Sequence, residues 1–208
     1  MSQRRKRPVW AGVLIGVVPV FALGSLLHFT YAWSGEWWLA AVFAAVNEST
    51  WEHLKIAFWP GLLYAVARSF FSRHPATASW SAHGYGLITV SVLIVLLFDG
   101  YTAMLGRNFL AADISIFFVG IYVGQVVSVI SVSFLGRMLA LRWMGLGLLA
   151  IQISAFSCFT FWPPQRPLFE DPRNGRFGIP AYVRRELHAG FIRWNFDGPL
   201  HRVNALLH

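Results

Sequence analysis

Charged residues along the chain fall in clusters, and between the clusters lie four uncharged stretches, 8–35, 74–98, 114–136 and 143–165. Each is longer than the ~20 residues that carry a helix across the hydrocarbon core of a bilayer. The pattern therefore predicts spanning helices over 10–31, 80–98, 112–134 and 143–161. Pro163 and Pro164 end the last of these, because neither can continue a helix without the loss of backbone hydrogen bonds. Trp10, Tyr31 and Trp80 stand near span ends, where an interfacial aromatic belt belongs.

A fifth span is less plain, since only the residues from 56 to 67 are uncharged between Lys55 and Arg68. It crosses only if the helix extends into its charged flanks, over 50–71, with Arg68 snorkelling to the interface. The segment 36–46 is too short to cross and is expected as an interfacial or re-entrant helix, tolerated at depth where protein covers its ends. The predicted fold is an all-α polytopic transmembrane helical bundle of about five spans plus that short helix. By segment, a basic cytoplasmic N-terminus (1–9) precedes a transmembrane domain (10–162), a Pro-rich outer loop (163–180) and a basic tail (181–208) that is either an amphipathic surface helix or disordered.

Composition sharpens this picture. Of 208 residues, 56% are hydrophobic and 12% charged, against roughly 25% charged in a soluble domain, which excludes a soluble globular protein. The formal net charge of +8 raises the question of nucleic acid, but the basic residues lie at span ends: Arg4, Arg5, Lys6 and Arg7 before the first, Arg68, Arg73, Arg137 and Arg142 beside later ones. Charges so placed orient a protein in a membrane. The expected acidic partners are anionic lipid headgroups rather than nucleic acid. The N-terminus is then cytoplasmic, with the loops 72–79 and 135–142, and the expected location is a cell inner membrane. Its uncharged run is too long for the apolar core of a secretory signal, and Arg4-Arg5 lacks the rest of a twin-arginine pattern. The single cysteine, Cys158, lies in an apolar run and excludes an intramolecular disulfide.

In this topology Glu36, Glu48, Glu52, Asp99, Asp113, Glu170 and Asp171 all fall on the outer side. The densest polar cluster is N-E-S-T-W-E-H-L-K, Asn47 to Lys55, set between apolar stretches. Ionisable residues at such a place point to a functional site, because each is costly near lipid unless paired or hydrated. On a helix, Glu48 and Glu52 would share a face, with Ser49 and His53 on the adjacent stripe. Two carboxylates and an imidazole suit a divalent metal such as zinc, or an acid and base pair, so Glu48, Glu52 and His53 are the catalytic candidates. His28 and Asp99, at the outer ends of spans one and three, complete the candidate metal ligands. Asp113, Glu170 and Asp171 rank lower, as an N-cap and turn residues, and His83 is expected at the opposite end. A structural account competes: Ser49-x-x-Glu52 is a capping box, and Glu52 can pair with Lys55 three residues on. It leaves Glu48 and His53 unexplained. The spacing matches no H-E-x-x-H or Glu-x-x-His pattern.

The stretch V-N-E-S-T-W-E-H-L-K-I, preceded by L-H-F and W-S-G and followed by P-P-Q-R-P-L-F-E-D-P-R-N-G-R-F-G-I, resembles an uncharacterised family of small bacterial multi-span membrane proteins over about residues 10–180. The resemblance implies a bacterial inner-membrane protein of five or six helices and carries no activity with it. Three functions stay open: a membrane-embedded site, metal-dependent or not, acting on a lipid-linked or periplasmic substrate; a small transporter or ion-coupled permease; and a non-catalytic assembly or sensor protein.

Overall fold

The computed structural model describes residues 9–71, 74–135, 138–180 and Val183. The basic segment before the first span, and the tail apart from Val183, lie outside them. Among the described residues six α-helices follow in order: α1 (Val9–Trp33), α2 (Trp38–Phe43), α3 (Thr50–Ser69), α4 (Ala76–Leu105), α5 (Leu110–Leu135) and α6 (Leu139–Cys158), then a short 3-10 turn, Pro167–Phe169. Among the described residues no strand forms, and the protein is an all-α helical bundle of the membrane type. Residues 15–33 of α1, and all of α4, α5 and α6, are long and apolar enough to cross a membrane. At 20 residues, α3 is about 30 Å long at 1.5 Å per residue. It is the least apolar of the long helices, because Glu52, His53, Lys55 and Arg68 all lie on it. The segment expected as interfacial or re-entrant contributes α2, a helix of six residues.

Small residues decide how these helices meet. Without a hydrophobic force to drive helix against helix inside lipid, association depends on close backbone approach and van der Waals packing. Between α4 and α5, a methyl placed on Gly86 would lie 2.5 Å from the Gly124 carbonyl oxygen and 1.9 Å from Ser128 Oγ. Between α4 and α6, a methyl on Gly84 would lie 2.1 Å from the Gly145 carbonyl oxygen. Alongside, Ser81 Oγ donates to the Arg142 carbonyl (2.6 Å) and Tyr85 donates to that of Leu141 (2.9 Å). The helix pairs run α4 against α5 antiparallel and α4 beside α6 parallel.

The contact of α1 with α3 has a different cause. Pro60, inside α3, has no N–H to give the Ile56 carbonyl four residues back. Gly24 of α1 faces that oxygen so closely that a methyl there would be 2.7 Å away, and Gly16 faces Tyr64 lower down. The two helices are thus antiparallel and in backbone contact. Behind them Val13, Val17, Leu54, Phe58, Leu87 and Phe156 form the main apolar core. Outward positions such as Ile15, Leu26, Leu96, Ile130 and Ile151 are exposed and apolar, as a lipid-facing surface requires.

This threading brings the C-terminal ends of α1, α4 and α6 and the N-terminal ends of α3 and α5 to one end of the bundle. All the described acidic residues lie there, from Glu36 to Asp171, as the sequence predicts. The loop after α6 folds back over the same end. Phe169 packs on Trp51 with ring centroids 4.7 Å apart, and Ile179 is buried with Tyr31, Ala41, Ala44 and Val183. Gly178 has φ 64°, and a side chain there would also strike the Thr160 carbonyl oxygen. His83, by contrast, lies in the first half of α4, at the other end.

Because the α4–α5 contact is backbone to backbone, Gly86→Val is expected to lower stability by roughly 1–3 kcal/mol. Gly147, where a methyl meets no atom within 4 Å, should accept Ala with no loss and a gain of up to about 1 kcal/mol. Thermal unfolding of the detergent-purified protein, followed by circular dichroism, reads both.

Candidate metal centre

The site begins with the turn that starts α3. Ser49 has extended backbone (φ −67°, ψ 152°) and its Oγ accepts from the Glu52 N–H at 3.4 Å, the expected N-cap. Asn47 Oδ1 accepts from the Ser49 N–H at 2.9 Å, and Asn47 Nδ2 donates to the Gly178 carbonyl at 3.3 Å. The turn is therefore closed from within and tied to the returning loop. Glu48 sits inside it, one residue before the cap, and so does not share a helical face with Glu52. That corrects the expectation drawn from helical spacing: the cap at Ser49 starts the helix after Glu48, not before it.

Freed from the helix, the Glu48 carboxylate reaches toward α1. His28 Nε2 lies 3.9 Å from its Oε1, and His53 Nε2 lies 3.7 Å from its Oε2. The two imidazole rings are 5.1 Å apart, centroid to centroid. Donor atoms of His28, Glu48 and His53 all lie within 4.8 Å of one another. Each side chain is about a quarter to a third exposed (27%, 26% and 35%), so the group is backed by protein and open on one side. His53 Nδ1 lies 2.9 Å from the Ser49 carbonyl oxygen. A carbonyl can only accept, so Nδ1 carries a proton, and Nε2 is the nitrogen that faces Glu48 and would offer its lone pair to a metal in the neutral ring. A backbone carbonyl on the second nitrogen is the support that metal-binding histidines commonly have. His28 Nδ1 is buried with no hydrogen-bond partner.

Two imidazoles and a carboxylate form a fitting donor set for zinc or another first-row divalent cation, with a coordination position left for water or substrate. In a tetrahedral shell with ~2.1 Å bonds the donors would stand about 3.4 Å apart. Side-chain rotations of an ångström or so would bring these three to that spacing.

Glu52 takes no part in this group. Its carboxylate turns inward, where Oε2 accepts from the Val46 N–H at 3.0 Å and pairs with Lys55 Nζ at 2.5 Å. The expected Glu52–Lys55 pair thus forms, but both residues are fully buried. Lys55 Nζ also donates to the Ala41 carbonyl (2.7 Å) and Thr160 Oγ1 (2.9 Å), so all three ammonium protons have an acceptor. The capping box is half formed: Ser49 caps Glu52, while Asn47, not Glu52, takes the Ser49 N–H.

The remaining candidates are placed as follows. Asp99 is exposed on the last turns of α4 and outside the His28–Glu48–His53 group. Asp113 accepts from Tyr101 and from Asn108 Nδ2, so it ties the α4–α5 turn together. Glu170 is exposed and forms an isolated bridge with Phe177. Asp171 is buried, and its carboxylate accepts from the Arg173 N–H (2.9 Å) and Asn174 Nδ2 (2.8 Å), shaping the turn expected at Asp-Pro.

That turn presents a residue that sequence reasoning missed. Arg173 Nη1 stands 3.3 Å from Glu48 Oε1, with the side chain 72% exposed. The only available signal was the Asp171-Pro172 and Asn174-Gly175 turn around it, which says nothing of what it faces. Thr160, the third acceptor for Lys55, gave no signal either.

The chain belongs to a family of unknown function (DUF6512), whose model matches residues 1–179. No curated protein and no solved structure matches it.

The buried pair carries its own prediction. Lys55→Met leaves the Glu52 carboxylate buried without its cation, and is expected to cost about 3–5 kcal/mol. The double variant Lys55→Met/Glu52→Gln should recover most of that loss, since no charge is then stranded. Chemical or thermal unfolding of the single and double variants in detergent measures both.

Proposed function

As a member of this family the chain inherits no activity, and we propose from its geometry that it is a membrane protein with a divalent-metal centre built from His28, Glu48 and His53. The observation that carries this is the convergence of three donors from two separate segments, α1 and the start of α3, on one half-open point. Capping and helix packing account for Ser49, Glu52 and Lys55; they do not account for a carboxylate held between two histidines. In this reading His28 and His53 bind through imidazole nitrogen and Glu48 through carboxylate oxygen. The centre, when loaded, supplies Lewis-acid activation of water or a polarised substrate group. The substrate approaches from the open side, at the depth of lipid headgroups, and a lipid-linked or periplasmic molecule fits that access.

A permease reading has less support. The acidic residues stand at one end of the bundle, and the buried charges of α3, Glu52 and Lys55, are engaged with each other and with Ala41 and Thr160, which leaves them no capacity for a passing ion.

The metal content of detergent-purified protein tests the proposal. The wild type should hold close to one zinc, iron, cobalt or manganese per chain, and Glu48→Gln, His53→Ala and His28→Ala should each lose it while keeping their helical circular dichroism. His83→Ala, which alters a histidine at the far end of the bundle, should keep it. A metal-free wild type, after incubation with each of these cations, would sink the proposal.

Orientation is a separate question. We place the metal centre on the outer side of an inner membrane, from the basic N-terminal segment and the acids at the centre's end. In a Cys158→Ser background, a cysteine at Arg173 should react with a membrane-impermeant maleimide on intact cells, and one at Arg68 should not; the reverse pattern would invert the protein.

A further inference from the structure

Glu48 is the only carboxylate of the metal centre, and it already has a cation. The Arg173 guanidinium lies 3.3 Å from Glu48 Oε1 and so cancels its charge before any metal arrives. A divalent ion bound by Glu48 and two neutral imidazoles would then leave an excess of two positive charges at a half-buried point. Bare charge of that size at the rim of an apolar bundle is unfavourable unless an anion balances it. The geometry supplies the contacts for one. Arg173 has five N–H donors, Nη1 is the atom that stands 3.3 Å from Glu48, and the side chain is 72% exposed, which leaves donors accessible to a ligand. The turn that carries it is fixed independently: Asp171 accepts from the Arg173 N–H and from Asn174, and Asn47 holds the Gly178 carbonyl. The guanidinium is thus presented to the centre by a braced loop.

Resting on the metal reading above, we infer that the loaded centre takes a phosphate-bearing ligand, one oxygen on the metal and others on Arg173. A phosphate monoester matches the required charge of about two, and its tetrahedral oxygens suit a planar guanidinium fork. A singly charged carboxylate would satisfy half of it. The same phosphate chemistry is offered by a lipid headgroup and by a free phosphate, and the two differ in how they reach the site.

The test uses the full chain, first loaded with zinc and checked for one equivalent of bound metal. Inorganic phosphate is titrated calorimetrically into the loaded and metal-free protein in detergent. In parallel, the loaded protein in nanodiscs of phosphatidylcholine is compared with nanodiscs containing phosphatidic acid, by retention of metal against a chelator. Loaded wild type should bind phosphate at least about tenfold more tightly than metal-free protein. Arg173→Gln should weaken that binding by about tenfold or more, the loss of one charge-assisted contact, while holding zinc at least as well as the wild type. Arg173→Lys should recover part of it. Binding of phosphate in detergent identifies a soluble ligand; metal retention enhanced only by phosphatidic acid identifies a headgroup. Zinc bound in a His28-, Glu48- and His53-dependent way, with no response to either probe, would overturn this inference alone. A response unchanged in Arg173→Gln would overturn it as well. A wild type that binds no metal would overturn both the metal reading and this inference.

Discussion

Three acceptors around one buried ammonium organise the end of the bundle where His28, Glu48 and His53 converge. Lys55 Nζ is held by the Glu52 carboxylate, the Ala41 carbonyl and Thr160 Oγ1, which belong to the start of α3, to α2 and to the segment after α6. In a low-dielectric interior none of these partners can be removed cheaply, because a stranded charge there costs several kcal/mol. The pair therefore specifies where α2 and the end of α6 must sit relative to α3. Glu52 extends the same control outward, since its Oε2 also accepts from the Val46 N–H. Val46 opens the turn that carries Glu48, so the buried pair and the partly exposed His28–Glu48–His53 group are joined through one turn.

A second constraint sets the separation of the histidines. His28 lies one helical turn beyond Gly24 on the same face of α1, and His53 lies three residues before Ile56 on α3. Pro60 frees the Ile56 carbonyl, and Gly24 lets the α1 backbone come up to it. The close approach at this level holds the two rings 5.1 Å apart one turn further on. A larger residue at Gly24 would spread the helices at the point nearest the site, although it touches none of the three donors. Packing of small residues, which membrane helices need in order to associate at all, here also fixes a donor spacing.

The spans were legible because lipid imposes a one-dimensional rule: an uncharged stretch of sufficient length has few other uses. The gathering of acids at one end followed from the topology that those spans define, while the N-cap at Ser49 and the pairing of Glu52 with Lys55 followed from local helical spacing. What escaped was set by contacts distant in sequence. Helical spacing put Glu48 and Glu52 on one face, but Asn47 and Ser49 close a turn that keeps Glu48 out of the helix. Arg173 reaches Glu48 only because Phe169 stacks on Trp51 and Ile179 is buried beside Tyr31, which folds the loop back over the end of α3. Asp99 illustrates the converse, since its level in the bundle suits the site and its place on the exposed face of α4 does not.

The two glutamates four residues apart show how the same side chain acquires opposite roles. Glu52 stands inside the first turn of α3, fully buried, and every contact it makes is to an atom of the fold: a lysine, a backbone N–H and the cap. Glu48 stands just outside that helix, a quarter exposed, and its three neighbours are side chains at salt-bridge range, His28, His53 and Arg173. At 3.7 and 3.9 Å the imidazoles are beyond hydrogen-bond length, so the carboxylate is surrounded without being consumed. A residue whose bonds are complete holds a structure together. One that is approached by two imidazoles slightly too far to bond, and is paired with an exposed guanidinium, has room between the rings for something else, and an ion whose bonds are ~2.1 Å long is of the size to occupy it.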